Sequence, residues 1–320
     1  MKYCFIVNPF AGKGKYTEEL RKKIKSACEA RQAEYDIFVS ESIDAVKEYI
    51  NSTVANREAG AEVGFFACGG DGTLCATVNV IMNLEDKEGV FLGLIPIGTG
   101  NDFVRNFGSS APFMDIEAQL DSEAHFVDII RCNDKYAINM VNIGFDCEVV
   151  CNTIRFKRNR FIPSKFAYIA GVLVTLIKKP GVNMNVSVNG GEYEKKELLL
   201  TTFANGEFCG GGFHSNPRAK MNDGNIDTLF IKDISRLKFI TLISYYKKGT
   251  HLENARLEKI VSPYKLGSVD MVFDKETNIS IDGEIVKENK LHMSIAKEEL
   301  GFLVPRGADV KCLKAQEAEV

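Results

Sequence analysis

The chain has 320 residues, a formal net charge of −3, and 45% hydrophobic and 26% charged residues. That length favours two domains over one, and the composition excludes a disordered or fibrous chain. The near-neutral balance excludes a strongly basic protein, so an anionic partner has to be met by local clusters of positive charge.

In chain order, Lys2–Asn8 is a short apolar strand ending in Asn-Pro, which is not the start of a secretory signal. Tyr16, Leu20, Ile24 and Ala27 then mark one face of a charged helix. Glu34–Ser40 reads as a second strand, and Asp44 is placed to cap a helix with Val46, Tyr49, Ile50 and Val54 on its inner side. Val63–Ala67 and Phe91–Ile95 are continuous apolar strands, with a helix over Thr73–Met82 between them. Strands apolar throughout and joined by helical crossovers predict a mainly parallel, buried sheet, so residues 1–130 are expected to form an α/β domain.

From about Tyr136 the period changes. Val182–Val188, Leu198–Phe203, Ile226–Ile231, Val269–Phe273, Asn278–Ile281 and Lys290–Ile295 are short strands, and Asn189-Gly190-Gly191 and Asp282-Gly283 are turns. Such spacing predicts a mainly antiparallel β-sandwich over residues 131–305, interrupted by helices near Lys165–Lys178 and Ser235–Lys248. Residues 306–320 form a tail expected to return to the first domain. No apolar stretch approaches the roughly 18 residues of a membrane span. The nine cysteines include no CxxC pair, and several stand in apolar runs (Cys4, Cys68, Cys75, Cys132). Reduced, mostly buried thiols in a cytoplasmic protein are expected.

Phe65-Phe66-Ala67-Cys68 runs directly into Gly69-Gly70-Asp71-Gly72-Thr73, and an apolar helix pattern follows. Strand, glycine turn and helix N-terminus together form an anion site, because glycines let backbone N–H groups approach a phosphate and the helix dipole favours negative charge. A plain structural turn is the alternative reading of Asp-Gly. The run from Leu94 through Pro96, Gly98, Thr99 and Gly100 to Phe103 again ends a strand in glycines, and it offers Asn101 or Asp102 as a helix cap. Loops at the carboxyl ends of neighbouring parallel strands converge on one crevice. Two such loops, each carrying an aspartate, suit a nucleotide polyphosphate with its cation, Asp71 and Asp102 holding Mg²⁺ directly or through water. Asn8, Pro9, Gly12, Lys13, Gly14 and Lys15 follow the first strand, and the glycines and lysines there fit phosphate contact. The pattern is neither a Walker A loop nor a Rossmann fingerprint, since GxxxxGK[ST] is absent and Gly12-Lys13-Gly14 lacks a third glycine.

The ordered set of Asn8-Pro9, Gly69–Thr73 and Pro96 to Phe103 resembles the bacterial diacylglycerol kinase and YegS-like lipid kinase family. The resemblance continues through Asn142–Asp146, Asn205-Gly206, Gly210-Gly211-Gly212, Asp223-Gly224 and Ile281-Asp282-Gly283-Glu284, and so spans roughly residues 3–305. It implies an NAD kinase/diacylglycerol kinase-like fold and an ATP-dependent, Mg²⁺-requiring kinase of a lipid hydroxyl, most plausibly diacylglycerol giving phosphatidic acid. By the same resemblance Asp71, Asp102 and Asp128 organise the nucleotide's Mg²⁺ through water. Asn8, Gly69, Gly70, Gly72, Thr73, Thr99 and Ser40 (where threonine is more usual) contact ATP. Asp223, with the carbonyls of Lys220 and Asn225, corresponds to a second, structural Mg²⁺ site. Glu284 is the expected proton acceptor, assisted by Asp282. Taken alone, Asp282-Gly283-Glu284 reads equally as a surface hairpin turn, and Asp223-Gly224 as a turn.

Arg155-Phe156-Lys157-Arg158-Asn159-Arg160-Phe161 interleaves positive charge with aromatics ahead of the apolar run Phe166–Leu173. Such a segment suits peripheral contact with an anionic membrane or the lining of an acyl-chain cleft, and equally a solvated loop beside a core helix. No RNA module surrounds it, so no nucleic-acid partner is expected. A homodimer is compatible with the resemblance. Other acceptors stay open: phosphatidylglycerol, a sphingoid base, a polyprenol, or a soluble alcohol as in NAD kinases. A non-catalytic nucleotide-binding protein would be expected to lack these acids, yet Asp71, Asp102, Asp128, Asp282 and Glu284 are all present.

Overall fold

The computed structural model describes residues 1–14, 17–157, 164–178 and 181–313. The chain divides into two compact units, Met1–Ile129 with Met221–Asp223 and Lys297–Val320, and Ile130–Lys220 with Gly224–Ala296.

The first unit runs β1 (Lys2–Val7), α1 (Thr17–Ala30), β2 (Tyr35–Val39), α2 (Ile43–Ala55), β3 (Val63–Gly69), α3 (Asp71–Met82) and β4 (Val90–Pro96). A 3₁₀ turn over Phe103–Phe107, short helices α4 (Ala111–Met114) and α5 (Ile116–Leu120), and the start of β5 (Glu123–Cys132) follow. β1 lies between β2 and β3, β3 pairs with β4, and all three pairings are parallel. Every residue of β3 is buried, which is why its sequence is apolar without alternation. On α1, Leu20, Ile24, Ala27 and Cys28 are buried at helical spacing, each larger side chain stabilising the unit by roughly 1.5–3 kcal/mol. Tyr16, expected on the same face, and Lys15 lie outside the described residues.

The cap of α2 differs from expectation. Ser42, not Asp44, is its N-cap, with extended backbone (φ −157°) and a hydroxyl that accepts the Ala45 N–H at 3.1 Å. Asp44 is already inside the first turn, where its charge meets the positive end of the helix dipole. Asp102 likewise heads only the 3₁₀ turn and makes no capping hydrogen bond there.

In the second unit β6 (Lys135–Ala137), β7 (Met140–Gly144), α6 (Phe145–Lys157), α7 (Ser164–Lys178), β8 (Val182–Val188) and β9 (Glu194–Ala204) come first. They are followed by β10 (Phe208–Cys209), β11 (Phe213–His214), β12 (Ile226–Lys232), α8 (Arg236–Lys248), β13 (Val261–Leu266), β14 (Ser268–Ile281) and β15 (Glu284–Val304). Its strand pairings are antiparallel. β9 pairs with β8 over its first half, and its second half lies between β7 and β12. β14 changes partner in the same way, from β8 to β7. These exchanges fold the strands around a shared core that includes Ile143, Met184, Phe203, Phe230, Met271 and Met293.

The expected strands at 269–273 and 278–281 are one strand, interrupted by an irregularity between Val272 and Thr277. The strand expected at 290–295 is part of β15, 21 residues long, and α6 was not foreseen. Of the basic-aromatic run, Arg158, Asn159, Arg160 and Phe161 lie outside the described residues. All nine cysteines are free, and only Cys151 is not fully buried. Among the described residues no helix is long and apolar enough to cross a membrane.

The far end of β15 belongs to the first unit, where Gly301 and Phe302 pair in parallel with Phe91 and Leu92 and extend the sheet beyond β4. The Phe302 ring stands 5.0 Å from Phe103 and 5.5 Å from Phe107, centroid to centroid, and Phe113 completes the cluster. The turn that follows the second glycine loop is thereby pinned to the core. Phe302→Ala is expected to cost about 3–5 kcal/mol, measured by equilibrium urea unfolding.

Candidate functional site

Three loops at the carboxyl ends of β1, β3 and β4 are tied to one another. The Asn8 side-chain amide donates to Thr73 Oγ1 at 2.9 Å, and its Oδ1 accepts the Phe10 N–H at 2.9 Å. Thr73 Oγ1 is thus an acceptor for Asn8 and keeps its own proton to donate elsewhere. The Gly98 N–H donates to the Gly69 carbonyl at 3.1 Å. A Cβ on Gly98 would lie 2.4 Å from Gly70 Cα, and one on Gly69 would lie 2.1 Å from Thr73 Oγ1, so neither position admits a side chain.

Asp71 fixes the second loop to the first. Its Oδ2 accepts the Asn101 N–H at 2.7 Å and its Oδ1 the Asp102 N–H at 2.9 Å. Asn101 adopts a left-handed backbone (φ 53°), and its amide donates to the carbonyls of Pro96 and Gly98, both at 3.1 Å. Asp102 stands 3.3 Å from the Arg105 guanidinium. Gly70 caps α3 with no side-chain hydrogen bond, so the first N–H groups of that helix present positive charge from backbone alone. Thr99 and Gly72 are exposed beside them, and Pro9 and Gly12 are half-buried after β1. Ser40 follows β2; its N–H donates to the Val7 carbonyl at 2.9 Å and its hydroxyl to the Ser42 carbonyl at 3.2 Å.

Asp128 is wholly buried on β5. Its carboxylate accepts the Glu298 N–H at 2.7 Å, from a residue with φ 47°, and its own N–H donates to the Met221 carbonyl at 2.7 Å. Asp128 thus anchors β15 and the Met221–Asp223 segment to the first unit, the pairing that a buried carboxylate requires. Asp223 belongs to that segment, whereas Lys220 and Asn225 belong to the second unit.

This donor set fits a nucleotide with Mg²⁺: a glycine cradle that a Cβ would fill, a helix N-terminus with no side-chain cap, and the Asp71 carboxylate, each of whose oxygens accepts one N–H. Asp71, with both oxygens already engaged, suits contact through water better than direct ligation.

In the second unit Asp282 has a left-handed backbone (φ 46°) and Gly283 follows at φ 91°. The Asp282 carboxylate accepts three consecutive N–H groups, from Ile138 at 2.8 Å, Asn139 at 3.1 Å and Met140 at 2.7 Å. The Ile138 carbonyl accepts the side-chain amide of buried Asn205 at 2.9 Å, and the N–H groups of Asn205 and Gly206 donate to the Asn139 carbonyl. Three motifs distant in sequence are therefore knotted at Ile138–Met140, which sequence reasoning missed because the partners are backbone groups. The turn holds Glu284 exposed.

The second unit also contains a narrow apolar pocket with a cavity volume of about 60 Å³, lined by Phe145, Val149, Val172, Phe239, Leu242 and Ile243 among others. Three polar side chains share its wall. The Asn142 Oδ1 is buried and accepts no hydrogen bond, and the Tyr246 hydroxyl donates to Asp146 Oδ2 at 3.0 Å. Burial pushes the Asp146 carboxyl up to about 6, and the Tyr246 hydrogen bond partly opposes this. The available sequence signal was the spacing of Phe239, Leu242 and Tyr246 on a helix without acids.

These features define a kinase fold of the NAD kinase/diacylglycerol kinase class. The chain belongs to the diacylglycerol kinase and YegS-like lipid kinase family: the diacylglycerol kinase catalytic domain matches residues 2–132, and the YegS C-terminal NAD kinase beta sandwich-like domain matches residues 139–303. A Staphylococcus aureus (strain JH9) protein named "Putative lipid kinase SaurJH9_0749" is 25% identical over 239 residues, covering 74% of this chain and 76% of that protein. The crystal structure of a diacylglycerol kinase from Bacillus anthracis str. Sterne aligns with a TM-score of 0.69 at 20% identity, over 95% of this chain and 97% of that one. A second structure from that organism, "a putative diacylglycerol kinase", aligns with a TM-score of 0.73 at 21% identity, over 95% of both chains.

Asp282→Ala is expected to destabilise the protein by about 2–4 kcal/mol, because three N–H groups lose a charged acceptor. Exposed Glu284→Gln should stay within about 0.5 kcal/mol of wild type in the same urea titration. For Asp146 the native state holds the proton more tightly than the unfolded chain, so its contribution to stability falls as pH rises through about 4 to 6. Asp146→Asn keeps an acceptor for Tyr246 without the charge. Its melting temperature relative to wild type should therefore climb over that range in a pH series of thermal melts.

Proposed function

We propose that the protein is an ATP-dependent lipid kinase that transfers the γ-phosphoryl group to a lipid hydroxyl, with diacylglycerol as acceptor and phosphatidic acid as product. Family membership and the glycine cradle of the first unit support the kinase reading. One observation carries the lipid reading: the pocket in the second unit is apolar throughout except for Asn142, Asp146 and Tyr246. An acyl chain suits such walls, and a hydroxyl-bearing group suits the unpartnered Asn142 oxygen.

In the proposed reaction the acceptor hydroxyl oxygen attacks the γ-phosphorus, the bond to the β–γ bridging oxygen breaks, and ADP leaves. Glu284, exposed after the rigid Asp282-Gly283 turn, takes the hydroxyl proton. Asp282 keeps that turn in register and acts through position. The α3 N-terminus and the loop glycines bind the phosphates, Thr73 donates its hydroxyl proton to them, and Asn8 orients Thr73. Bound Mg²⁺ would supply charge neutralisation on the phosphates, held through water by Asp71, Asp102 and Asp128. A second Mg²⁺ at Asp223 with the Lys220 and Asn225 carbonyls is part of the same proposal, and its role is structural. The reading includes action at a membrane surface from the cytoplasm.

Purified protein given labelled ATP, Mg²⁺ and a lipid panel should yield labelled phosphatidic acid from diacylglycerol. Glu284→Ala and Asp71→Ala should each lower turnover by about 10²-fold or more, and near-wild-type turnover in both would overturn the mechanism. Leu242→Trp, which narrows the pocket, should reduce kcat/KM for long-chain acceptors at least about tenfold more than for short-chain ones.

A further inference from the structure

Cys147 and Cys151 stand at i,i+4 on α6 and so share one face of that helix. Cys147 is wholly buried, whereas Cys151 is half-buried and is the cysteine of the nine that solvent can reach. The Cys147 thiol donates a hydrogen bond to the Cys151 sulfur. That hydrogen bond holds Cys151 below the ordinary thiol range, with help from Lys287 and against the pull of burial and Glu148. The same hydrogen bond, together with burial, pushes Cys147 well above that range. One sulfur is thus favoured as a thiolate while its neighbour keeps its proton.

The turn that carries both sulfurs is also part of the pocket wall. Asp146 directly precedes Cys147, Val149 and Val150 lie between the two cysteines, and all three line the cavity. α6 is held closely against α7. A Cβ on Gly171 would lie 2.6 Å from Thr153 Oγ1 and 3.1 Å from the Val149 carbonyl oxygen, and the Asn152 amide donates to Thr175 Oγ1 at 3.0 Å. From β14 the Asn278 amide donates to the Glu148 carboxylate at 2.8 Å. In a regular helix, Cβ atoms at i,i+4 are about 5–6 Å apart, whereas a disulfide needs them about 3.5–4.5 Å apart. Joining these sulfurs therefore has to bend the turn, at a place where α7 already touches its backbone.

We propose that Cys147 and Cys151 form a modification site for hydroperoxides, Cys151 reacting first and Cys147 closing a disulfide that reshapes the pocket wall. The Cys151 thiolate attacks the terminal oxygen of the peroxide and the O–O bond breaks. Cys151 becomes a sulfenic acid, and the released hydroxide or alkoxide takes a proton from solvent. The Cys147 sulfur then attacks the Cys151 sulfur, the S–O bond breaks, and the hydroxide leaves as water with the Cys147 proton. Two thiols lose two electrons in all, and one hydroperoxide is reduced to an alcohol or water. A disulfide closed against helix geometry is strained, and a dithiol reduces it readily. The modification stands apart from the proposed kinase reaction and rests on it only for the effect on the acceptor.

The test treats the reduced full chain with hydrogen peroxide and maps its peptides by mass spectrometry. The loss of two hydrogens should fall on the peptides carrying Cys147 and Cys151, and dithiothreitol should restore them. Cys147→Ala should stop at a sulfenic acid on Cys151, trapped by dimedone, and Cys151→Ala should react at least about tenfold more slowly than wild type. Amide exchange across α6 should quicken at least about tenfold on oxidation and recover on reduction. Oxidation should also raise KM for long-chain diacylglycerol at least about fivefold. ATP affinity should stay within about twofold, because the glycine cradle lies in the other unit. First oxidation at another cysteine overturns the proposal, as does a sulfinic acid on Cys151 formed without a disulfide. A disulfide that leaves both amide exchange and acceptor KM unchanged overturns it as well. A protein that forms the disulfide and loosens α6, yet phosphorylates no lipid in either state, counts against the kinase reading alone.

Discussion

The close approach of Gly70 to Gly98, sealed by the Asp71 carboxylate on the N–H groups of Asn101 and Asp102, sets everything else in the first unit's site. Two loops can lie this near only where neither carries a Cβ, and they stay there only because a charged acceptor spans them. Once they are locked, the free N–H groups of α3 and the Thr73 hydroxyl have fixed directions, and Asn8 brings the β1 loop into the same frame. A cradle made from backbone and tied in this way keeps little conformational freedom of its own.

The acidic residues separate into two kinds by what already occupies them. Asp71, Asp128 and Asp282 are each committed to backbone N–H groups, and each holds a turn or crossing in an otherwise unfavourable conformation, at Asn101, Glu298 and Asp282 itself. Glu284 is exposed and stands one residue beyond such an anchor. An anchored carboxylate at Asp282 and an exposed one at Glu284 thus stand on either side of a single glycine.

Much of this was legible in the sequence. The parallel strands were readable because β3 is buried on both faces and therefore apolar at every position, and the glycine loops because no other residue type fits their contacts. The cap of α2 was misassigned since Ser42 and Asp44 are both good capping residues, and backbone conformation, not composition, separates them. β14 was divided in two because Asp274, Lys275 and Glu276 interrupt its apolar alternation at the irregularity between Val272 and Thr277. The Asp282 anchor was invisible because its partners are N–H groups, which every residue except proline carries. The pocket stayed hidden for the opposite reason: its lining comes from β7, α6, α7, β9, β10, β11, β12 and α8, and no local pattern registers such a convergence.

The parallel pairing of Gly301 and Phe302 with Phe91 and Leu92 has a temporal side. On a ribosome the chain emerges from the amino end, and β4 is complete some two hundred residues before the strand that covers its edge exists. Until then the nascent first unit carries an open row of backbone donors and acceptors and lacks Phe302, the ring on which its aromatic cluster closes. Synthesis of the whole second unit falls within that interval. The first unit can settle only after the last long strand has been translated, so the order of completion in this protein runs against the order of its residues.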